Sequence, residues 1–308
     1  MAGQSGRECG VEDMCGVSYG PPRPMNDTPE PLVDFHTHSH CSDGVLSPAA
    51  LVERALTRRV GTLALTDHDT TAGLDEARDA CHRTGIRFVP GVELSAQWRG
   101  QTIHVVGLQV DAAQEALGTH VAAVRERRRQ RLAEIGDRLE KKARLPGREL
   151  AEAAGVSPSP TRMHLARLLV ERGHARDAQE AFDRWLNRDK AGHVPAEWPE
   201  FAQVMAVLRD NGALPVLAHP HRYKLSSGQL RELTATFAQA GGVALEASMA
   251  GMSLNDADRI ASLCRKYDLH ASMGSDFHDP AVPWNPLGRW LKLAAGLRPV
   301  TQLLSNAP

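Results

Sequence analysis

Two histidines, His36 and His38, stand two residues apart directly after the short stretch Leu32-Val33-Asp34-Phe35. In an extended chain side chains alternate, so residues two apart face the same side and can grip one ion together. Asp276 and His278 repeat the spacing near the other end. Between them, His68 follows the apolar run 62–66, Glu93 follows 86–90, His104 lies within 102–108, and His219 follows 214–218. These donors are imidazoles and carboxylates without a thiolate, a set suited to manganese, zinc or iron. A lone histidine is more often a surface or hydrogen-bonded residue than a ligand. Here eight donors share one kind of position, on or just after buried strands, where a random scatter of 14 histidines would put many on helices and loops. Eight are too many for one ion with about four to six positions. Two or three ions are implied, with Glu93 a natural bridge. Without ions the cluster would hold costly buried unpaired charges.

The elements that must position these donors alternate. Ser47-Pro48 reads as an N-cap followed by proline at the first helical position, opening a helix to about Arg59. A strand over 62–66 precedes Asp67-His68-Asp69, and a helix from Leu74 to Arg83 stops at Gly85. A strand over 86–90 precedes Gly91-Val92-Glu93. This alternation predicts parallel βαβ units and an α/β barrel, whose active site lies on the rim at the strands' C-terminal ends. From about Asp111 to Pro199 no strand is predicted. That stretch reads as a charged helix (121–142), a loop, and helices over 162–172 and 177–187. The alternation then resumes with a helix over 201–211 and strands over 214–218, 242–246 and 270–274. The expected organisation is a leader over 1–30, a barrel over 31–110 and 200–308, and an inserted helical subdomain over 111–199.

Bulk composition agrees. The 308 residues suffice for one large barrel, and 42% hydrophobic with 24% charged residues is the balance of a globular protein. The formal net charge is −1, from 36 basic and 37 acidic residues, so no global field draws the chain to nucleic acid or anionic membrane. No apolar run is long enough for a bilayer span, and residues 1–30 lack the apolar core of a signal peptide. That stretch, rich in Gly, Pro, Asp and Glu, is expected to be disordered. Five scattered cysteines suggest no disulfide framework, and a cytoplasmic setting is expected.

Six motifs in order resemble the PHP (polymerase and histidinol phosphatase) superfamily. They are Asp34-Phe35-His36-Thr37-His38, Ser42-Asp43-Gly44, Leu65-Thr66-Asp67-His68-Asp69, Pro90-Gly91-Val92-Glu93, Ala218-His219-Pro220 and Gly274-Ser275-Asp276-Phe277-His278. Within that superfamily the chain looks like the bacterial branch related to nucleoside 3′,5′-bisphosphate phosphatases. The stretches Thr161-Arg162-Met163-His164-Leu165-Ala166-Arg167 and His219-Pro220-His221-Arg222-Tyr223 add to this likeness. The resemblance implies a distorted (β/α)7 TIM-like barrel and two or three divalent ions, manganese above zinc or iron. It also implies a nucleotide or short RNA 5′ ends as substrate, with no membrane or obligate protein partner. Carried over by position, His36, His38, Glu93 and Asp276 would hold a first ion, and Asp43, His68 and His278 a second. Glu93, shared, would hold a third with His104 and His219. Some superfamily members have His where this chain has Asp43, and the carboxylate favours manganese or iron over zinc.

Phosphate ester hydrolysis on such a site needs no Ser or Cys nucleophile, because paired ions can supply a bridging hydroxide and clamp the phosphoryl group. His221 is a candidate to protonate the leaving oxygen and Asp69 a candidate catalytic carboxylate. Asp67 and Asp69 also fit the common role of acceptors for metal-bound imidazoles. Arg222 could grip phosphate in a bidentate manner or pair with a carboxylate. If the insertion covers the barrel mouth, Arg128, Arg129 and Arg131, with His164, are candidates for a second phosphate or an RNA end. His40 is expected not to be a ligand, and Cys41 to be structural. Competing readings are a phosphatase for another small phosphomonoester of the histidinol phosphate type and a non-catalytic metal-binding scaffold. An amidohydrolase-like deaminase also uses His-x-His, but its carboxylated-lysine arrangement is not found.

Overall fold

The computed structural model describes residues 32–304, so the expected leader lies outside the described residues. Strand β1 (Leu32–Asp34) leads to helix α1 (Pro48–Thr57), where the Ser47 hydroxyl accepts from the Ala50 N–H at 3.1 Å. Strand β2 (Val60–Leu65) follows, then α2 (Leu74–Thr84), which ends at Gly85 in the left-handed region with φ 76°. Strand β3 (Arg87–Trp98) is much longer than the sequence predicts, so Glu93 lies within a strand rather than after one. It returns as β4 (Gln101–Leu108) through Arg99 and Gly100, with φ 47° and 75°, the conformation of a two-residue hairpin turn.

Beyond β4 come α3 (Glu115–Ala143), α4 (Gly147–Ala154), α5 (Arg162–Glu171) and α6 (Ala178–Ala181), the last running into a π-turn over Phe182–Leu186. Helix α4 falls where the sequence suggests a loop. Its first residue, Gly147, crosses α3 so closely that a Cβ there would lie 2.1 Å from the Gly136 carbonyl oxygen, so a residue that usually marks a break here serves packing. The barrel then continues with α7 (Phe201–Asp210), β5 (Leu214–Leu217), α8 (Ser227–Gln239), β6 (Ala244–Met249), α9 (Leu254–Lys266) and β7 (His270–Gly274).

The seven strands form one sheet in chain order. Pairing is parallel except around β4, which is antiparallel to both β3 and β5. The parallel βαβ pattern is interrupted there because only two residues join β3 to β4, too few for a crossover. The sheet closes between β7 and β1. The Phe35 N–H donates to the Met273 carbonyl at 3.1 Å, the His38 N–H to Phe277 at 2.9 Å, and Thr37 bridges Phe277.

Strand residues alternate between two apolar layers. Leu63, Leu65, Leu94 and Leu217 pack with the helices through Leu51, Leu74 and Leu208. Phe35, Ala64, Val89, Val106, Val216 and Ala244 fill the opposite face with Val300 and Leu304. A separate cluster joins Leu132, Ile135 and Leu139 of α3 to Leu150, Leu165, Leu169 and Leu186. The first turns of α3 belong instead to the barrel's outer layer through Leu117 and Val121. Helix α3 thus spans both cores and ties the helical segment to the barrel. Among the described residues no helix is long and apolar enough to cross a membrane.

Candidate metal centre

The nine donors meet at one end of the barrel. Alternation along β1 and its exit turns His36 and His38 to one side, both fully buried. Gly274 lets β7 come close, since a Cβ there would lie 2.6 Å from the His36 Cβ. Three site residues hold left-handed backbones without being glycine: Asp69 (φ 47°), His219 (φ 31°) and Asp276 (φ 53°). Such conformations cost about 1–3 kcal/mol each and cluster where side chains must be aimed.

Glu93 sits at the centre and is fully buried. Its Oε2 lies 3.1 Å from His36 Nε2, 3.3 Å from His38 Nε2 and 2.9 Å from His68 Nδ1. Its Oε1 lies 3.1 Å from His104 Nδ1 and 3.0 Å from His219 Nε2. Asp276 Oδ1 is 3.5 Å from His36 Nε2 and 3.2 Å from His38 Nε2. Asp43 Oδ1 is 3.1 Å from His278 Nε2 and 3.8 Å from His68 Nε2. The spacing forms three overlapping donor groups: His36, His38 and Asp276; His38, Asp43, His68 and His278; and His68, Glu93 and His104. The second contains the three donors that the resemblance assigns to the second ion, and the first contains three of the four assigned to the first, with Glu93 Oε2 3.1 Å from His36 Nε2. His68 stands between the second and third groups, its two ring nitrogens facing Asp43 and Glu93.

These residues fit divalent ions. The buried atoms His36 Nε2, His38 Nε2, Asp43 Oδ1, His68 Nδ1, Glu93 Oε2 and His104 Nδ1 have no hydrogen-bond partner, although buried polar atoms are nearly always paired. All aim into the same small volume. Burial alone would raise the Asp43, Glu93 and Asp276 pKa values, but the surrounding imidazoles hold all three well below the usual carboxylate range. Burial likewise opposes charge on His38, yet Asp276 and Glu93 raise its pKa to about 10. The cluster stores negative charge for which protons or metal ions compete.

Glu246, which the sequence reading passed over, completes the centre. Buried within β6, its Oε1 accepts from His36 Nδ1 at 2.7 Å and its other oxygen from the His219 N–H. That fixes the His36 tautomer with Nε2 free toward the donors, the standard outer partner of a ligating imidazole. The readable signal was a carboxylate closing a buried strand. Asp67 serves His38 less directly, accepting from the Ser39 N–H and from the Ser39 and Ser42 hydroxyls, with Ser42 Oγ 3.4 Å from His38 Nδ1. Asp34, whose pKa burial raises to about 6, accepts from the Ser275 and Gly288 N–H groups and ties β1 to the β7 exit.

Several expected roles need correction. Asp69 is fully buried, and its carboxylate is engaged by Arg128, the Ser95 N–H and the Ser95 hydroxyl, a bracing role rather than acid–base work. Arg128 is 7% exposed, bonded to Asp69 and Ser95 Oγ and stacked over Trp198, and is therefore not free for phosphate. Arg129 is exposed on another face of α3, beside Asp137, Arg148 and Val156. His164 is spent on structure: its Nδ1 accepts from the Thr161 N–H at 3.0 Å in a capping box, and the ring also bonds the Ser42 backbone. Burial and the adjacent Arg222 bring the His221 pKa down to about 4, which disfavours the imidazolium form that a proton donor to a leaving oxygen needs. Arg222 stands at the rim, paired with Asp276 and partly exposed. Arg131 is half-buried, with Nε and one terminal nitrogen on the Val194 carbonyl. His40 is exposed and Cys41 buried.

The chain is similar to known proteins along most of its length. The chain is 44% identical over 283 residues to the 5′-3′ exoribonuclease Rnm of Escherichia coli (strain K12), spanning 91% of this chain and 96% of that protein. It is 36% identical over 281 residues to the 3′,5′-nucleoside bisphosphate phosphatase of Chromobacterium violaceum, spanning 87% and 94%. A solved structure from Chromobacterium violaceum, described as an amidohydrolase with bound sulfate and no metal, matches with a TM-score of 0.82 at 36% identity, covering 88% of this chain and 95% of that one. The family model for the PHP domain matches residues 34–188, and the chain belongs to the PHP domain family.

Proposed function

We propose that this chain is a manganese-dependent phosphoesterase of nucleotides. It removes the 3′-phosphate of nucleoside 3′,5′-bisphosphates and has 5′-3′ exonuclease activity on short RNA. The observation that carries this reading is the ring of unpartnered donor atoms around Glu93. The relatives named as a bisphosphate phosphatase and as exoribonucleases direct the substrate toward nucleotides. Bound divalent ions would supply an activated water and neutralise phosphoryl oxygens. The carboxylates Asp43, Glu93 and Asp276 with all-imidazole company support manganese over softer ions.

The chain's own residues supply holding and orientation. Arg222 lies against Asp276 at the rim, within reach of a phosphate held there. On the helical segment, read here as a cap over the mouth, Arg131 and Arg162 are candidate cations for a second phosphate. Among the described residues neither has a carboxylate within ion-pair distance. Burial and the neighbouring Arg162 and Arg128 lower the Arg131 pKa to about 10, as expected of a site short of negative charge. The cytoplasmic setting is supported by Cys41, Cys81 and Cys264, all free and buried.

The deciding experiment is a manganese-supplemented panel of adenosine 3′,5′-bisphosphate, AMP, histidinol phosphate and a 5′-phosphorylated oligoribonucleotide. Expected are phosphate release from the bisphosphate to leave AMP, and stepwise release of nucleotides from the 5′ end of the oligomer. Preference for histidinol phosphate, or no hydrolysis of any member by manganese-loaded protein, overturns the assignment.

A further inference from the structure

Arg128 reaches 59 positions back along the chain from the middle of α3 to a carboxylate beside the metal centre. Its Nε lies 2.9 Å from Asp69 Oδ2, a terminal nitrogen bonds the same oxygen, and that nitrogen also lies 3.0 Å from Ser95 Oγ. The guanidinium is stacked 4.7 Å from the Trp198 ring centroid, which closes it from the other side. Both charges are buried. A buried ion pair is weak evidence for stability, because desolvation offsets much of the attraction, so its presence asks for another reason.

The partners of Asp69 supply one. Asp69 is the neighbour of His68, and its backbone is held in the left-handed region at φ 47°. Its N–H donates to the Glu93 carbonyl at 2.9 Å, and the Glu93 N–H donates to the Asp67 carbonyl at 3.2 Å. His68 itself is bridged to Glu93. The Asp69 carboxylate accepts from the Ser95 N–H at 2.7 Å and the Ser95 hydroxyl at 2.8 Å, which pins β3 two residues beyond Glu93. The strained turn carrying His68 and the strand carrying Glu93 are therefore clamped together by one carboxylate, and α3 neutralises that carboxylate. The same helix carries Ile135 and Leu139 in the helical segment's own core.

We propose that Arg128 is a positioning residue that couples the seating of the helical segment to ion occupancy at the His68–Glu93–His104 donors. It acts through Asp69. When α3 is seated, Asp69 is held, His68 keeps both ring nitrogens aimed, and the donors are set for an ion. When α3 lifts, Asp69 loses its counter-charge and the turn is free to relax. The donors His36, His38 and Asp276 follow β1 and β7, outside the His68 turn and the β3 residues that the clamp joins. The inference rests on the reading of the cluster as a metal centre and adds a reason for the cap to be attached where it is.

The test measures manganese binding rather than turnover. Wild-type protein, Arg128→Met, Asp69→Asn and the double variant are stripped of metal, checked for folding by circular dichroism, and titrated with manganese by calorimetry and by electron paramagnetic resonance. Expected is a loss of about 10–100-fold in affinity for one class of ion in each single variant, the range for removing an outer partner of a ligand. The tighter class is expected to be unchanged, and the double variant to be no worse than Asp69→Asn alone. Equal manganese binding by wild type and folded Arg128→Met overturns the coupling, as does a double variant that is additively worse. If Arg128→Met does not fold, Trp198→Leu, which removes the ring under Arg128 and Arg131 but leaves the Asp69–Arg128 partners in place, stands in for it, and unchanged binding there is equally decisive. A wild type that binds no manganese overturns the metal reading instead.

Discussion

The rim of the barrel and the inner face of the helical segment meet over the same few residues, yet they treat polar atoms in opposite ways. On the rim, six buried donor atoms have no hydrogen-bond partner and crowd around Glu93. On the helical segment the charged groups that reach the rim are already engaged: Arg128 by Asp69 and Ser95, His164 by the Thr161 N–H, and Arg167 by the Asp43 carbonyl at 2.7 Å. Unsatisfied buried groups cost about 1–3 kcal/mol each when nothing binds them, so the rim makes sense as a receptor for ions. The satisfied face makes sense as a brace. Even its contact with Asp43 uses the backbone carbonyl and leaves the carboxylate to the imidazoles.

The largest expected effect breaks the rim at its centre. Glu93→Gln removes the charge facing five imidazoles while keeping the side chain's volume. Phosphatase activity is expected to fall by more than about 100-fold, beyond the loss from an outer partner, with at least one ion lost by metal analysis. Activity within tenfold of wild type would mean that Glu93 is not the bridging donor. Glu246→Ala is the next step down. It leaves every donor in place but frees His36 Nδ1, and an ion-affinity loss of about 10–100-fold is expected. An unchanged calorimetric titration would remove Glu246 from the centre.

The third prediction concerns protons, which compete with ions for the rim. Although burial opposes it, the carboxylates Asp276 and Glu93 hold the folded-state pKa of His38 at about 10, above its ordinary 6.5. A raised histidine contributes stability that is complete below pH 6.5 and is lost as pH rises through about 10. The melting temperature of ion-free protein is therefore expected to fall between pH 7 and pH 10. Manganese-loaded protein, whose imidazoles are already unprotonated, is expected to stay flat over that window. Parallel curves with and without manganese would show that the ions do not occupy the His38 donors.

The two regions also differ in how far the sequence alone reveals them. Strand donors announce themselves, because a buried strand followed by His or Asp leaves few other uses for the residue. His36, His38, His68, His219, Asp276 and His278 could be read that way, as could the helix capped at Ser47 and stopped at Gly85. Glu246 followed the same rule but stood alone on its strand with no companion histidine to draw attention. The antiparallel β4 was hidden because strand direction is set by the two-residue turn at Arg99-Gly100, and not by the apolar pattern, which is the same either way. The helical segment was legible as helices but not as contacts. Its run of arginines from Arg125 to Arg131 looks uniform, and only the rotation of α3 against the barrel decides which member is buried. Phosphate-binding roles assigned to the run as a block therefore fell on Arg128, which is locked, and on Arg129, which faces elsewhere.

That rotation gives the smallest expected effect, and the most exacting one. Arg128 and Arg129 are neighbours in sequence, about 100° apart around the helix, one buried against Asp69 and the other exposed beside Asp137 and Arg148. Arg129→Ala removes a solvated charge with no carboxylate in ion-pair contact among the described residues. Stability is expected to change by no more than about 0.5 kcal/mol, the usual range for a surface substitution away from special features. The ratio of rates on adenosine 3′,5′-bisphosphate and p-nitrophenyl phosphate is expected to match wild type within twofold. Arg131→Met, by contrast, removes a half-buried cation and is expected to lower the rate on the bisphosphate selectively. Thermal melts and the two rate ratios measure this directly. A selective loss with Arg129→Ala, or none with Arg131→Met, would mean that α3 presents a different face to the substrate than the one Arg128 fixes.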